Sequence, residues 1–587
     1  MPKGKLAGLG KSNGVSLLRF WLALTTFVVG LVLSAVGLVN QLENRPLDMI
    51  VATTTLETPT TYVVIPNRVL TAYPGKVSVT AKNDGPVFLA TGRESDIVGW
   101  IDSSQHVELR LGVNSQEEKI VISEVEREGS GELGDPNGSD LWRIQVLENY
   151  EGKISVPDGN EVGVLVTATG VDMAPRNLTI SWDLPDQEVP VAPITFFGLT
   201  LMAIGAALSL WAFLVTYRQS RITRNYRGPR RPKPKLPSRR PRSQAGPGPA
   251  TTRRQARGLG FAALLVTPLF LSGCTPEYVN PILSPSPSPA QDVLTPVITK
   301  DQVGRILVEI ADVVAAADLE YDRESIETRV SGPALAARRA EYNIARRAED
   351  PAPISPILAE PVQLFLPSAT DTWPRSVMVV TGEENLKMLV LRQDSPREQY
   401  RLYEYMDLLP GIQFPVVAAE TVGANAVKAD SKFLLLPPAD LGTAVGSLLN
   451  EGPNSTWSIL VDGDNQYVAD VSSVQQGLAQ TLENANLTFE HKISSDDPVL
   501  LAAADGGALA AVYMIDTYTI IPKEPGDAVA ISGDEAILLG TGGSATGIET
   551  KYGAMLLFHI PAAGSESRVT LLGATQQLLT AVSLGVR

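Results

Sequence analysis

Two long apolar runs that contain no charged residue constrain the fold of this chain more than any other feature. The first covers Phe20–Val39 and the second covers Ile194–Val215. A helix needs about 20 apolar residues, at about 1.5 Å per residue, to cross the hydrocarbon core of a bilayer. Soluble helices of this length usually carry a polar face, and neither run has one. The sequence therefore predicts a multidomain membrane protein with two transmembrane helices.

The charged residues that flank the two runs predict their orientation. Four basic residues and no acidic residue precede the first run, and the tract 218–257 after the second run holds 14 basic residues and no acidic one. Short basic flanks stay in the cytoplasm. We therefore expect both flanks in the cytosol and the intervening residues 40–192 on the outer side of the plasma membrane.

Each run also contains two small residues four positions apart. These are Gly30 with Ser34 and Gly205 with Ser209. Small residues at this spacing let two helix backbones approach closely. The lipid bilayer is the first predicted partner, and the small pairs permit packing either within the chain or against membrane protein partners.

The only cysteine of the chain, Cys274, follows a third and shorter apolar run, Leu259–Leu271. A basic start, a short apolar run and small residues at its end are the marks of a secretory signal peptide. The end of this run resembles a bacterial lipobox, in which the cysteine thiol receives a diacylglycerol and the chain is cut before the cysteine. The resemblance assigns the lipid to Cys274 and the lipobox to Leu271, Ser272 and Gly273.

A lipid at Cys274 would anchor the chain stably, because one diacylglycerol carries two acyl chains. The Pro/Ser-rich residues 275–291 look like the extended tether between a lipid anchor and a folded domain. The alternative is a third membrane segment that contains a buried cysteine and leaves the chain whole. Both interpretations place residues 275–587 outside.

Charge is divided between the cytosolic and the exported parts. The formal net charge is −15, and it becomes −33 when the four N-terminal and the 14 linker basic residues are left out. So acidic an exported part argues against a nucleic-acid partner. The basic tract lies between membrane segments, where contact with anionic lipid is expected. With a single cysteine the chain forms no internal disulfide, so its domains depend on their apolar cores.

Residues 40–192 contain alternating segments that are typical of β-strands. Lys76–Lys82 alternates, Asn83–Gly85 is a turn signal and Pro86–Thr91 returns, which predicts a hairpin. Glu94–Ile101 is predicted to be a short helix with acidic residues in its first turn. We expect an exported antiparallel β-sandwich of about seven or eight strands.

One segment of this domain, GELGDPNGSD, contains side chains that could be taken for calcium ligands. These are Asp135, Asn137 and Asp140. Their spacing does not match the D-x-[DN]-x-[DN]-G calcium loop, and no glutamate stands at its closing position. The segment is therefore predicted to be an acidic surface loop.

Residues 292–587 are predicted to be an exported α+β region in which the order of helices followed by strands occurs twice. Thr299 and Gln302 form a capping pair before an amphipathic helix. In each half, helices precede strands. This indicates two modules, 292–430 and 431–587, that resemble the cystatin-like or nuclear-transport-factor-like folds.

Cone-shaped modules of this kind often enclose an apolar pocket. The candidate lining residues are Trp373, Tyr403 and Tyr405. A deep cavity at these residues would favour a ligand-binding lipoprotein.

No catalytic or metal site is predicted. His106, His491 and His559 lie far apart and lack metal-binding spacing. The N-terminal GLGKS lacks the first glycine of a phosphate loop, and no G-x-S-x-G motif occurs. We therefore expect no catalytic residue, no metal and no cofactor.

Four stretches, GPVFLATGRESDIVGWI, RVSGPALAARRAEY, TWPRSVMVVT and ADGGALA, resemble those of actinobacterial envelope proteins of unknown function. In those proteins an anchored β-domain or a lipoprotein signal accompanies such a C-terminal region. The resemblance covers the exported domains and implies a Gram-positive actinobacterial cell envelope. It implies no activity and no catalytic residues.

These features favour a non-enzymatic scaffold or accessory subunit of the cell envelope. A ligand-binding lipoprotein is the alternative. A further alternative is an envelope carbohydrate-active hydrolase, which needs two carboxylates about 5 to 9 Å apart in a cleft. The predicted organisation is 1–19 cytosolic N-terminus, 20–39 transmembrane, 40–192 exported β-sandwich, 194–215 transmembrane, 216–257 basic cytosolic linker, 258–274 lipoprotein-type signal or third membrane segment, 275–291 tether, and 292–430 and 431–587 exported modules.

Overall fold

The computed structural model divides the chain into two compact units. The described residues are 13–43, 48–114, 119–132, 134–157, 159, 161–169, 172–185, 193–222, 294–494, 496 and 498–585. The first unit contains the two apolar helices, and the second combines residues 51–183 with the C-terminal part of the chain. The lipobox with Cys274, the tether and most of the basic linker lie outside the described residues.

The first unit is a pair of long helices, α1 (Asn13–Glu43) and α4 (Pro193–Ile222). Their apolar spans, Leu18–Asn40 and Pro193–Arg218, have mean hydropathies of 2.4 and 2.0. Both spans are long and apolar enough to cross a membrane. The prediction of two such helices is confirmed.

Small residues bring these two helices into backbone contact. A Cβ atom on Gly30 would lie 2.5 Å from the Met202 nitrogen, and one on Gly205 would lie 2.6 Å from the Phe27 nitrogen. Real Cβ atoms do not approach other atoms so closely, so only glycine fits. Gly30 of α1 meets Met202 of α4, whereas the earlier residue Phe27 meets the later residue Gly205. The two helices are therefore antiparallel. Gly30 and Gly205 therefore serve packing within the chain.

Residues 48–185 form an eight-stranded sheet, which we call the first sheet, and two short helices. The elements are β1 Met49–Thr55, β2 Tyr62–Ile65, α2 Asn67–Leu70, β3 Lys76–Arg93, α3 Glu94–Ile101, β4 His106–Asn114, β5 Lys119–Arg127, β6 Ile144–Val156, β7 Val162–Thr167 and β8 Asn177–Asp183. The strand order is β1-β8-β3-β7-β2-β4-β5, with β6 paired to β3, and β2 and β4 run parallel. Because β3 pairs with β6 on one side and with β8 and β7 on the other, all eight strands belong to one hydrogen-bonded sheet.

The predicted hairpin at Asn83–Gly85 is wrong, because β3 runs straight through this segment. β3 pairs with β6 both before and after it, with a register shift between Lys82 and Pro86. None of the three residues has the positive φ that a tight hairpin turn requires. The Asn83 amide donates to the Pro86 carbonyl at 3.2 Å. The turn signal thus produces a bulge inside a long strand.

Residues 294–585, which we call the C-terminal region, form a nine-stranded sheet with packed helices. The elements are α5 Lys300–Glu320, α6 Gly332–Ala345, β9 Val362–Pro367, β10 Arg375–Thr381, β11 Lys387–Gln393, β12 Arg401–Leu408, α7 Leu441–Glu451, α8 Gln466–Thr481, β13 Ala485–Ile493, β14 Val499–Ala502, β15 Ala508–Pro522, β16 Val529–Ala530, α9 Asp534–Leu539, β17 Gly543–Ser544, β18 Ile548–Ile560 and β19 Thr570–Ser583. The sheet order is β13-β15-β18-β19-β12-β11-β10-β9, with β14 paired to β15. Helices precede antiparallel strands in both halves, and the halves join where β12 pairs with β19.

The start of α5 shows how local sequence builds this region. Thr299 Oγ1 accepts a hydrogen bond from the Gln302 nitrogen at 3.4 Å, and the Gln302 side chain accepts one from the Thr299 nitrogen at 3.1 Å. The predicted capping pair is therefore confirmed as a capping box. The apolar face of α5 is buried in the same core as β10 and β11.

Candidate functional site

Buried ion pairs join the first sheet to the C-terminal region. Asp96 on α3 accepts a hydrogen bond from Arg375 Nη1 at 2.7 Å, and the two side chains are 1% and 0% exposed. Arg93 lies beside them, with its Nη1 atom 3.5 Å from Asp96 Oδ1. Arg93 also donates to the Thr370 carbonyl at 3.0 Å and pairs with Asp371. Residues of both sheets therefore share one buried charge cluster.

A second buried cluster surrounds Asp140. Its carboxylate accepts hydrogen bonds from Arg329 Nη1 and from the Tyr400 backbone nitrogen, both at 2.7 Å. The Asp140 and Arg329 side chains are 2% and 4% exposed. Gln302, the capping residue of α5, donates to the carbonyls of Asp140 and Leu141, both at 3.1 Å. Three positions of the C-terminal region thus bind this short segment.

This placement corrects the prediction for the GELGDPNGSD segment. Asp135 and Asn137 are exposed, but Asp140 is buried in an ion pair. The prediction of an acidic surface loop is therefore wrong for Asp140. Its partner Arg329 lies 189 positions later in the chain, and no local pattern connects the two residues.

Aromatic side chains cover the ion pairs. Trp100 lies edge-on to Tyr62 with 5.6 Å between ring centroids, and its ring is 6.0 Å from that of Trp142. Trp373 of the C-terminal region packs against the same cluster. Arg397 lies over the Trp100 ring at 5.1 Å and donates to the Trp100 carbonyl at 2.9 Å. The contact is therefore apolar as well as charged.

Burial and pairing act in opposite directions on Asp96. Burial raises the pKa of the Asp96 carboxyl because the charged form loses its water, and Arg375 and Arg93 act to lower it; the net shift of the pKa is upward. Removing one member of such a cluster leaves a buried charge without its partner.

The residues predicted to line an apolar pocket lie in two places. Tyr403 and Tyr405 are on β12 and belong to the core of the C-terminal region. Trp373 lies at the contact with the first sheet, with its ring centroid 3.6 Å from Arg375 Cζ. Their role in ligand binding stays a prediction. So does the lipidation of Cys274, which lies outside the described residues.

A cavity of about 410 Å³ lies among α8, α9 and the strands β15, β18 and β19. Three tyrosines, Tyr467, Tyr518 and Tyr552, line it together with Asp470 and Glu535. The Tyr552 hydroxyl donates to Glu535 at 2.8 Å. No lysine or arginine is among the described residues that line this cavity. Its wall therefore combines aromatic, aliphatic and acidic side chains with two glutamines.

A buried hydrogen-bond network supports one wall of this cavity. His491 Nδ1 lies 2.6 Å from Asp516 Oδ1, and both side chains are fully buried. The Gln475 amide donates to His491 Nε2 at 3.0 Å, so the ring proton is on Nδ1. Asp516 also accepts from Gln576 at 2.7 Å and from the Tyr467 hydroxyl at 3.3 Å. The network fixes the position of two side chains that line the cavity.

His491, which lacks metal-binding spacing in the sequence, lies on β13. It stands opposite Asp516 in the register of β13 and β15, a pairing that the spacing of residues did not reveal. Burial raises the pKa of Tyr518 to about 12, and the nearby Asp516 acts in the same direction. Within the described ranges, no group of three or more potential metal ligands occurs.

The comparisons with known proteins concern the C-terminal region. Residues 294–583 match the family model of a domain of unknown function, DUF8094. The match includes the nine-stranded sheet and excludes the helix pair and the first sheet. No curated protein and no solved structure matches the chain. We refer to residues 294–583 as the DUF8094 domain from here on.

Proposed function

We propose that the protein is a non-enzymatic scaffold or accessory subunit of the cell envelope, held at the plasma membrane by its helix pair and by a lipid on Cys274. The observation that carries this proposal is the buried contact between the first sheet and the DUF8094 domain. It joins residues 51–183 and the C-terminal region into one compact unit. Such a unit presents a surface of fixed geometry to partners, whereas domains on a flexible linker move independently.

The same contact supports the proposed arrangement across the membrane. α1 ends at Glu43 and β1 begins at Met49. The five residues between them extend at most about 18 Å, less than the hydrocarbon core of about 30 Å. A connection too short to cross the bilayer agrees with the proposal that residues 40–192 lie together on the outer side. Since the DUF8094 domain packs on the first sheet, we expect the chain to return across the membrane between residues 223 and 293.

Both interpretations of residues 258–274 supply this return. A lipoprotein signal exports the residues that follow it, and a third membrane segment crosses the bilayer itself. With the basic linker in the cytosol, residues 40–192 and 275–587 face outwards. This proposed location agrees with the Gram-positive actinobacterial envelope that the sequence resemblance implies. We also propose that the two halves of the DUF8094 domain are cystatin-like or nuclear-transport-factor-like modules, since helices precede an antiparallel sheet in each.

The size of the native assembly tests the scaffold proposal. After gentle solubilisation of host membranes and native electrophoresis, we expect complexes clearly larger than the 62.7 kDa chain. Arg375→Ala, which disturbs the buried contact, should reduce these complexes. Asp462→Ala, which removes a partly exposed ion pair with Arg568, should leave them unchanged. Migration of the wild-type protein as a single chain would contradict the proposal.

Ligand binding in the acidic cavity is a second candidate function. The cavity combines three tyrosine rings with Asp470 and Glu535 and has no basic side chain among its described lining residues. Aromatic rings and carboxylates together favour cations with an organic surface. We therefore propose a small organic ammonium compound as the class of ligand.

Titration calorimetry with tetramethylammonium tests this second candidate. We expect saturable binding that Glu535→Gln weakens about tenfold, because one favourable charge interaction is lost. Glu566→Gln, at an exposed position, serves as the matched control and should bind like the wild type. Binding that is absent, or equally strong in both variants, would contradict the assignment.

A further inference from the structure

We propose that the first sheet, together with its short helices α2 and α3, and the DUF8094 domain are complementary binding partners. They stay together when the chain between them is cut. The inference rests on the proposed function, because the lipoprotein signal before Cys274 places a cut between the two domains. Processing would then yield a sheet domain anchored by two helices and a lipidated DUF8094 domain. The contacts across their interface would hold the two products together.

Each domain has a backbone framework of its own. Among the described strands, none of the first sheet pairs with a strand of the DUF8094 domain. The isolated bridges outside the named strands also stay within the C-terminal region. Each domain has apolar clusters of its own, except that Trp373 packs against the cluster of the first sheet. The domains therefore meet through side chains and loop backbone, as separate subunits do.

Two buried ion pairs cross the interface with the same polarity. The first sheet domain contributes the carboxylates of Asp96 and Asp140, and the DUF8094 domain contributes the guanidinium groups of Arg375 and Arg329. These four side chains are at most 4% exposed. A different partner would leave the buried Asp140 and Arg375 without the ion-pair partner that the structure gives them, which is strongly unfavourable. Arg329 and Asp96 would keep a neighbour of opposite charge in their own domain, Glu309 and Arg93. The ion pairs therefore select this partner over others.

Large side chains supply the anchors of the interface. Trp373 fits so closely that a Cβ atom on Gly99 would lie 2.7 Å from its ring. Arg397 donates to the carbonyls of Trp100 and Ile101 at 2.9 and 3.4 Å. Tryptophan and arginine are the residues that most often dominate the binding energy of protein interfaces. A flexible linker between two domains raises their local concentration only to about millimolar. We therefore expect an interface with these anchors to persist after the linker is cut.

Cutting the full chain in detergent tests the inference. A site-specific protease sequence replaces residues 276–283, Cys274→Ala prevents native processing, and an N-terminal affinity tag immobilises the protein. After the cut, we expect most of the C-terminal fragment to stay on the resin during extended washing. In the double variant Asp96→Ala/Asp140→Ala, we expect the fragment to be released at least about tenfold faster, because interface charges control dissociation. Asp462→Ala is the matched control and should retain the fragment.

Circular dichroism, measured before the cut, must first show that each variant is folded. Arg397→Ala removes a single anchor, and its release rate should lie between those of the wild type and the double variant. Immediate release of the wild-type fragment would overturn the inference, as would equal retention in the wild type and the double variant. Native electrophoresis of the uncut chain tests the scaffold proposal separately. Loss of the large complexes would contradict the scaffold, whereas release of the cut fragment would contradict only this inference.

Discussion

Asp140→Ala should lower the free energy of unfolding of the second unit by up to about 3–5 kcal/mol, because Arg329 loses its buried carboxylate and keeps only the partly exposed Glu309 as a partner. Arg329 is 4% exposed, so bulk water does not reach its guanidinium in the intact fold. The Tyr400 nitrogen loses its acceptor in the same substitution. Urea unfolding of the full chain in detergent, followed by tryptophan fluorescence, measures the change. Trp142 lies two positions from the substitution and reports on this contact.

A matched surface substitution separates this effect from a general loss of charge. Asp462 pairs with Arg568 at 2.7 Å, and these side chains are 29% and 47% exposed. Asp462→Ala should therefore cost about 0–1 kcal/mol. In the double variant Asp140→Ala/Arg329→Ala, the loss should be smaller than the sum of the two single losses, because the unpaired charge is gone. Equal destabilisation by Asp140→Ala and Asp462→Ala would refute the importance of the buried pair.

Glu404→Gln should stabilise the protein at pH 8 and have little effect at pH 5. Glu404 lies on β12 and is 1% exposed, and its Oε2 atom has no hydrogen-bond partner among the described residues. Burial and, to a smaller extent, the nearby Asp496 raise the pKa of this carboxyl to about 8, against the opposing effect of Arg392. The folded protein therefore holds this proton more tightly than the unfolded chain, in which a glutamate has a pKa of about 4.3.

The direction of the pH dependence follows from this raised pKa. The contribution of Glu404 to stability is fully present below the unfolded pKa and is lost as the pH rises through about 8. Within that window each pH unit lowers the free energy of unfolding by about 1.4 kcal/mol. Urea unfolding of the wild type, Glu404→Gln and the exposed control Glu490→Gln at pH 5 and pH 8 measures this slope. Identical pH profiles of the wild type and Glu404→Gln would show that Glu404 is not the titrating group.

Features that depend on neighbouring residues could be predicted from the sequence. The helix Glu94–Ile101 has the bounds that its acidic first turn and apolar pattern indicated. The capping box of Thr299 and Gln302 is formed as predicted. The two uncharged runs form helices long enough to span a membrane. In each case the determining interactions span one or a few helical turns.

Strand pairing was less predictable, because a strand is stabilised by partners that are distant in the chain. The Asn83–Gly85 signal favours a turn locally, yet pairing with β6 on both sides keeps β3 extended. The last strand, Thr570–Ser583, carries no strong local signal, but it connects the two halves of the nine-stranded sheet. Cross-strand packing therefore outweighs local preference at both places.

The sequence by itself determined that two helices are long and apolar enough to span a membrane, and how charge is divided between the parts of the chain. Only the tertiary structure decided that Asp140 is buried against Arg329 and that His491 meets Asp516 beside a cavity. A charged residue is favourable in the interior only where the fold supplies its counter-charge. The partner lies 189 positions away in the chain for Asp140 and 25 positions away for His491. Such distances leave no periodicity or spacing to detect, so the functional surfaces of this protein emerge only when the chain is folded.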